Sequence, residues 1–259
     1  MAELVYRPVI GVARLLFAYQ GLRFDLEGTE HVPRSGGAVM AINHIGYFDF
    51  TYAGFAALPA KRLVRFMAKE EVFRHRVAGP LMRGMHHIPV DRAAGAGSYR
   101  AAVDALRAGE IVGVFPEATI SRSFELKDFK PGAVRLAADA GVPLLPTVIW
   151  GSQRVWTKGH KRLGRTGTPI TVRVGEPIVV PKGSDAVVET AKVRDAMTVM
   201  LHEIQESYAE SPGPDDSWWL PVRLGGSAPT PEEAEQLDRD ERRARIEAAK
   251  QARDTARPS

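Results

Sequence analysis

Gly37-Ala38-Val39-Met40-Ala41-Ile42-Asn43-His44-Ile45-Gly46-Tyr47-Phe48-Asp49 runs from an apolar segment through a polar turn, and a second apolar run from Phe50 to Leu58 follows it. The run from Gly37 to Ile42 is short, uninterrupted and aliphatic, which predicts a buried strand ending at the His44 turn. Phe50 to Leu58 predicts a helix. Strand, polar turn and helix in this order are the repeating unit of an α/β domain.

The same alternation extends outward in both directions. Further strands are predicted over Phe24–Gly28, Leu63–Lys69, Ile88–Val90, Ile111–Phe115, Leu144–Ile149, Ile170–Val174 and Ile178–Val180. Helices are predicted after Lys69 through Leu81 and Met82, over Ser98–Ala108 with Gly109 as the stop, over Ala133–Ala140 with Gly141 as the stop, and over Asp185–Tyr208. The expected fold is therefore α/β: a single domain with a mostly parallel or mixed central sheet flanked by helices.

Three segments are expected. Residues 1–22 form an N-terminal helix, in which Val9, Ile10, Val12, Leu15, Leu16, Phe17 and Tyr19 cover most of the surface and Arg7 and Arg14 mark a narrow basic stripe. Such a helix suits a membrane interface, and equally a core position with snorkelling arginines. Residues 23–210 form the α/β domain. Residues 211–259 form a Pro/Gly linker and a charged helical tail over Pro231–Asp254, with Trp218 and Trp219 free to pack back or to touch a membrane.

Composition narrows the chemistry. The 259 residues include no cysteine, which excludes disulfides, thiolate nucleophiles and cysteine metal sites. No stretch reaches the length of a conventional spanning helix, and the start has no secretory signal pattern. Residues 1–210 hold 27 Lys and Arg against 21 Asp and Glu, whereas the last 49 hold 8 against 10. The basic excess, concentrated in 61–92 and 151–175, suits phosphate-bearing partners without choosing among them.

Two stretches past predicted strand ends carry candidate chemistry, where α/β folds place their sites. In the first, Asp49 lies five residues after His44. If His44 sits on the turn and Asp49 opens the next helix, the carboxylate can fold back on the imidazole, hold Nδ1–H and leave Nε2 to deprotonate a hydroxyl. Taken alone, the pair also reads as a helix N-cap beside a core histidine. The second stretch, Phe115-Pro116-Glu117-Ala118-Thr119, sets a carboxylate on a proline turn after an apolar strand. His75, His86 and His87 lack zinc-ligand spacing and read as surface or strand-end residues, so no metal is expected. Gly95-Ala96-Gly97-Ser98 reads as a flexible loop.

Together the two stretches resemble the glycerolipid acyltransferase family typified by 1-acylglycerol-3-phosphate acyltransferases. Asn43-His44-(x4)-Asp49 matches its N-H-x4-D motif, and Phe115-Pro116-Glu117-Ala118-Thr119-Ile120-Ser121 matches its F-P-E-G-T-R-S motif. His87-Ile88-Pro89-Val90-Asp91-Arg92, Phe129-Lys130-Pro131-Gly132-Ala133 and Val142-Pro143-Leu144-Leu145-Pro146 match three further blocks in order, over about residues 25–180.

The resemblance implies direct acyl transfer from acyl-CoA or acyl carrier protein to a hydroxyl of lysophosphatidic acid in phospholipid synthesis. His44 would be the general base, Asp49 its orienter, and no covalent intermediate or further cofactor is needed. Arg92 would hold the acceptor phosphate and Glu117 shape the acceptor site, with Thr119, Arg122 and Lys130 as further substrate-binding residues. The implied partners are a thioester donor, a phosphorylated glycerolipid and a membrane surface, with no nucleic acid. The implied location is the cytoplasmic face of the cell membrane, held peripherally.

Three positions depart from the pattern: Gly46 replaces the common serine of the first motif, Ala118 the glycine of the second, and Ile120 its arginine. Ile120 opens the acceptor to glycerol-3-phosphate or to a glycolipid or amino lipid. A non-catalytic anionic-lipid-binding module is the reading from another class, and it leaves His44, Asp49 and Glu117 without a purpose.

Overall fold

The structure, a computed structural model, describes residues 2–91, 95–213 and 216–255. Two compact units divide it: Met1–Ile120 with Asp128–Ser211, and Ser121–Lys127 with Pro212–Ser259.

In the first unit the elements follow as α1 (Ala2–Gln20), β1 (Arg23–Glu27), β2 (Ala38–Ile42), α2 (Asp49–Ala56), β3 (Val64–Lys69), α3 (Glu70–Arg74), α4 (Ala78–Gly84), β4 (Ile88–Val90), α5 (Gly95–Arg107), β5 (Ile111–Val114), α6 (Gly132–Ala140), β6 (Leu144–Trp150), β7 (Trp156–Thr157), β8 (His160–Lys161), β9 (Pro169–Val174) and α7 (Ala186–Ser207). Seven strands form one sheet in the order β1-β9-β6-β2-β5-β3-β4. Every neighbouring pair is parallel except β6 with β9. The single α/β domain with its mostly parallel sheet is thus as the alternation of the sequence predicts.

β2, β5 and β6 lie side by side and are buried along their whole lengths. Parallel strands covered by helices on both faces need apolar side chains in both directions, which is why these segments read as continuous aliphatic runs. Ala41 pairs with Val114 of β5 on one side and with Pro146 of β6 on the other. All three chains therefore leave the sheet at the same end.

Several local expectations are corrected. The helix expected after Lys69 is two helices, because His75 is extended and its Nδ1 accepts the Val77 and Ala78 amides at 3.3 and 3.2 Å. An imidazole here does the work of an N-cap. Ile178–Val180 is not a strand: only Ile178 forms a bridge, to Leu144. Pro177 and Pro181 flank it, and proline removes the donors that a longer ladder would use. The small β7–β8 hairpin has no counterpart in the sequence reading.

α1 buries a narrow seam, Tyr6, Phe17 and Gln20, with Ile10 and Ala13 partly covered. Phe17 packs on Tyr52 and Phe55 at ring separations of 5.2 and 5.3 Å, and the Tyr6 hydroxyl donates to the Val64 carbonyl at 2.7 Å. Leu4, Val12, Leu15 and Tyr19 stay exposed. Phe17 thus belongs to the hydrophobic core while the opposite face of α1 lies open. Among the described residues, no helix is long and apolar enough to cross a membrane.

In the second unit, α8 (Pro231–Thr255) starts with a reciprocal cap. The Glu233 amide donates to Thr230 Oγ1 and the Thr230 amide to Glu233 Oε2, at 3.2 and 2.9 Å, with Pro231 at the first helical position. Asp238 and Glu241 of this helix receive Arg122, and Asp238 also receives Lys127. Trp219 is buried, and the Trp218 indole donates to Asp216 at 2.8 Å.

His87 was expected at a surface or strand end. It does precede β4, but it is buried, and its Nδ1 accepts the Phe66 amide at 3.0 Å. That bond requires a neutral ring. Burial first, and the Arg65 guanidinium second, lower its pKa from the usual 6.5 to about 4. Between those values the unfolded chain binds a proton that the folded chain refuses, so this contribution to stability is intact above pH 6.5 and is lost as pH falls toward 4. The loss amounts to on the order of 3 kcal/mol. Urea unfolding at stepped pH should show it, and His87→Asn, whose amide oxygen can keep the Phe66 bond, should flatten that part of the slope.

Ala118, on the turn after β5, has φ +60°, the left-handed region that an L side chain pays about 1–2 kcal/mol to enter. Ala118→Gly relieves this and gives back about 0.4–1 kcal/mol to the unfolded chain. The variant should be more stable by about 0.5–1 kcal/mol in urea unfolding, and a destabilised variant would contradict the assignment of strain.

Candidate active site

The residue that follows β2 fixes the turn. Asn43 is fully buried, and its side chain grips β6: Oδ1 accepts the Ile149 amide at 2.7 Å and Nδ2 donates to the Ile149 carbonyl at 3.0 Å. This two-way bond replaces ladder contacts where β2 ends, so the chain leaves the sheet at a defined point. Thr157 Oγ1 donates to the Ile45 carbonyl at 2.7 Å and the Tyr47 amide donates to the Trp156 carbonyl at 2.9 Å. The otherwise unforeseen β7 thus braces the turn from outside.

Asp49 is the first residue of α2 and has no exposure. Its Oδ2 accepts the Ile45 and Gly46 amides at 2.7 and 2.8 Å and lies 3.0 Å from His44 Nδ1. Its Oδ1 accepts the Ser152 hydroxyl at 2.5 Å. The carboxylate oxygens are acceptors throughout, so the nitrogen facing Oδ2 carries the proton and Nε2 is the basic one. Buried carboxylates are tolerated only when so compensated. Tyr52, behind Asp49, has its pKa raised by burial and by the Asp49 charge, and stays protonated.

The second motif meets the first at the backbone. Glu117 is buried on the turn after β5, and its Oε1 accepts the His44 amide at 2.7 Å. The Phe115 ring lies against the imidazole at 4.3 Å between centroids, inclined by 32°. Lys130 is tied to the same turn, its amide donating to the Pro116 carbonyl at 3.0 Å. His44 borders a cavity of about 510 Å³, whose wall includes Tyr47, Phe66, Met82 and Leu136, with Lys69 and Lys130 among its polar members. That volume and lining suit an alkyl chain with a polar end.

The residues expected to form the site divide accordingly. His44, Asp49, Glu117 and Lys130 come together in one unit, with Thr119 half-buried on the turn beyond Glu117. Arg92 lies outside the described residues. Arg122 belongs to the second unit, where its guanidinium pairs with Asp238 at 3.2 Å and Glu241 at 2.9 Å. Ile120 is buried, so this side chain is packing and not a polar contact. Ser152 is a further residue of the site with no local signal in the sequence, since Asp49, its partner, lies 103 residues away.

Comparison with known proteins agrees with these motifs. The family model described as Acyltransferase matches residues 23–150. A 1-acyl-sn-glycerol-3-phosphate acyltransferase of Bacillus subtilis is 34% identical over 138 residues, which is 52% of this chain and 67% of the relative. One from Limnanthes douglasii is 31% identical over 173 residues, 65% of this chain; the match spans 58% of that longer relative. The crystal structure of the Thermotoga maritima 1-acyl-sn-glycerophosphate acyltransferase PlsC shares the fold, with a TM-score of 0.66 at 20% identity over 81% of this chain and 83% of that one. Motif, fold and relatives agree that this chain is an acyltransferase and belongs to the family that includes the 1-acyl-sn-glycerol-3-phosphate acyltransferases.

Proposed function

We propose that the protein acylates lysophosphatidic acid, taking the acyl group from acyl-CoA or acyl carrier protein in a single direct transfer. The observation that carries this is the 3.0 Å contact of His44 Nδ1 with a buried Asp49 carboxylate, beside a large apolar cavity. The names of the Bacillus and Limnanthes relatives supply the acceptor. His44 Nε2 takes the proton of the acceptor hydroxyl as its oxygen attacks the thioester carbonyl. The new C–O bond forms, the C–S bond breaks, and the departing thiolate takes the proton back from the imidazolium. Asp49 stabilises the imidazolium meanwhile. Glu117, by holding the His44 amide, keeps the imidazole-bearing turn seated against the acceptor side of the site.

Acceptor binding depends on the second motif and the residues around it. With Ile120 buried and the Arg122 guanidinium held by Asp238 and Glu241, phosphate recognition falls to Arg92 and Lys130, with Thr119 contributing a hydroxyl. That specific loss also favours a second reading, in which the same chemistry serves glycerol-3-phosphate or a glycolipid or amino-lipid acceptor. The outer face of α1, with Leu4, Val12, Leu15 and Tyr19 exposed and Arg7 and Arg14 beside them, fits peripheral attachment to the cytoplasmic face of the cell membrane.

His44→Ala should lower kcat by about 10²–10⁴-fold with an unchanged far-UV spectrum. Thiol release measured on lysophosphatidate, glycerol-3-phosphate and a glycolipid identifies the acceptor, and wild-type rates from the variant would overturn the base assignment. Val12→Glu with Leu15→Glu should cut sedimentation with vesicles containing phosphatidylglycerol by at least about tenfold, since two buried aliphatic side chains contribute about 1.5–3 kcal/mol each. Unchanged sedimentation would remove α1 as the anchor.

A further inference from the structure

We infer that Ser152 is a positioning residue for the His44–Asp49 pair, supplying from the end of β6 the hydroxyl that Gly46 cannot. The inference rests on the proposed role of His44 as base, and it starts from a missing side chain. At Gly46 an added Cβ would lie 2.8 Å from Ser152 Oγ, 3.1 Å from the Ser152 carbonyl oxygen and 3.1 Å from Asp49 Oδ1. The space a side chain at 46 would enter is therefore the space that the Ser152 hydroxyl fills. That hydroxyl donates to Asp49 Oδ1 while Oδ2 serves His44 and the two amides. Each oxygen of the carboxylate is held, and rotation about its axis is blocked.

The backbone is built to deliver this hydroxyl. Gly151, between β6 and Ser152, has φ +93°, and a Cβ there would lie 2.1 Å from the Pro169 carbonyl oxygen. Only glycine can make that turn, and the turn sends Ser152 back toward Asp49 across 103 residues of sequence. Ser152 is itself buried, with 1% exposure, so the bond is shielded from competing water. A hydrogen bond to a charged group of this kind contributes about 1.5–3 kcal/mol, a factor of about ten to a hundred.

Three variants test the inference: Ser152→Ala, Gly46→Ser, and the double variant Gly46→Ser/Ser152→Ala, which exchanges the positions of the hydroxyl. Ser152→Ala should lower kcat by about ten- to a hundredfold with KM changed less than about twofold. Gly46→Ser alone should also be impaired, because the two side chains collide. The double variant should recover to within about threefold of the parent, since a hydroxyl at 46 can reach Asp49 Oδ1 once Ser152 Oγ is gone. In parallel, NMR of the histidine-¹⁵N-labelled protein reads the tautomer of His44, assigned by its loss in His44→Ala. The Nδ1–H form should dominate in the parent, lose population in Ser152→Ala and return in the double variant.

A Ser152→Ala variant with parental kcat and parental tautomer overturns the inference, as does a folded double variant with no recovery. The NMR arm separates the two proposals. If His44→Ala retains activity while the tautomer follows Ser152, the base assignment fails and the positioning contact stands.

Discussion

A carboxylate with no solvent exposure is the constraint around which this site is organised. Moving an ionised carboxyl group out of water costs several kcal/mol even after relaxation, and only paired donors can offset it. Asp49 receives four: the Ile45 and Gly46 amides, His44 Nδ1–H and the Ser152 hydroxyl. Three come from the tight turn between β2 and α2, and that turn must curl closely enough for two successive amides to point at one oxygen. The dipole of α2 adds to this, since Asp49 sits at its first residue, where a negative charge is favoured. The histidine is thus one of four donors to a charge that the fold would have to satisfy even without catalysis.

Strand order explains why these pieces can meet. β2 lies between β5 and β6, all parallel, so the segments leaving their carboxyl ends emerge together. His44 follows β2, Glu117 follows β5 and Ser152 follows β6. Two contacts hold these exits in register: Asn43 to Ile149 joins the first to the third, and the His44 amide to Glu117 joins the first to the second. Asn43 grips Ile149 from the residue before His44, and Glu117 takes the His44 amide. Their contacts set the position of its backbone, which the proposed base needs as much as it needs a correct tautomer.

Legibility in the sequence followed the range of the interaction. The strands of the buried sheet were readable because their environment imposes one composition on every residue, and the His44–Asp49 pair because its spacing lies within one turn. Ser152 was not readable, since its partner is 103 residues away and nothing in a serine's own neighbourhood points there. The burial of His87 at its strand end was not readable for a related reason: it comes from Tyr6 and Phe66, whose rings lie 5.7 and 5.5 Å away, and no local periodicity reports them. Proline explains the strand that failed at Ile178–Val180. The β7–β8 hairpin is two residues a side, too short for alternation to register.

The three departures from the family motifs are accommodated in different physical ways. At Gly46 the lost hydroxyl has a replacement in reach, so the carboxylate keeps its full set of donors. Ala118 keeps the left-handed turn that glycine would make without strain, at a cost small enough for Glu117 to remain on the His44 amide. Ile120 is buried, and a guanidinium at this position would need buried partners of its own. The departures at Gly46 and Ala118 thus leave the donors to Asp49 and the Glu117–His44 contact in place, while the one at Ile120 sets an apolar side chain in a buried position.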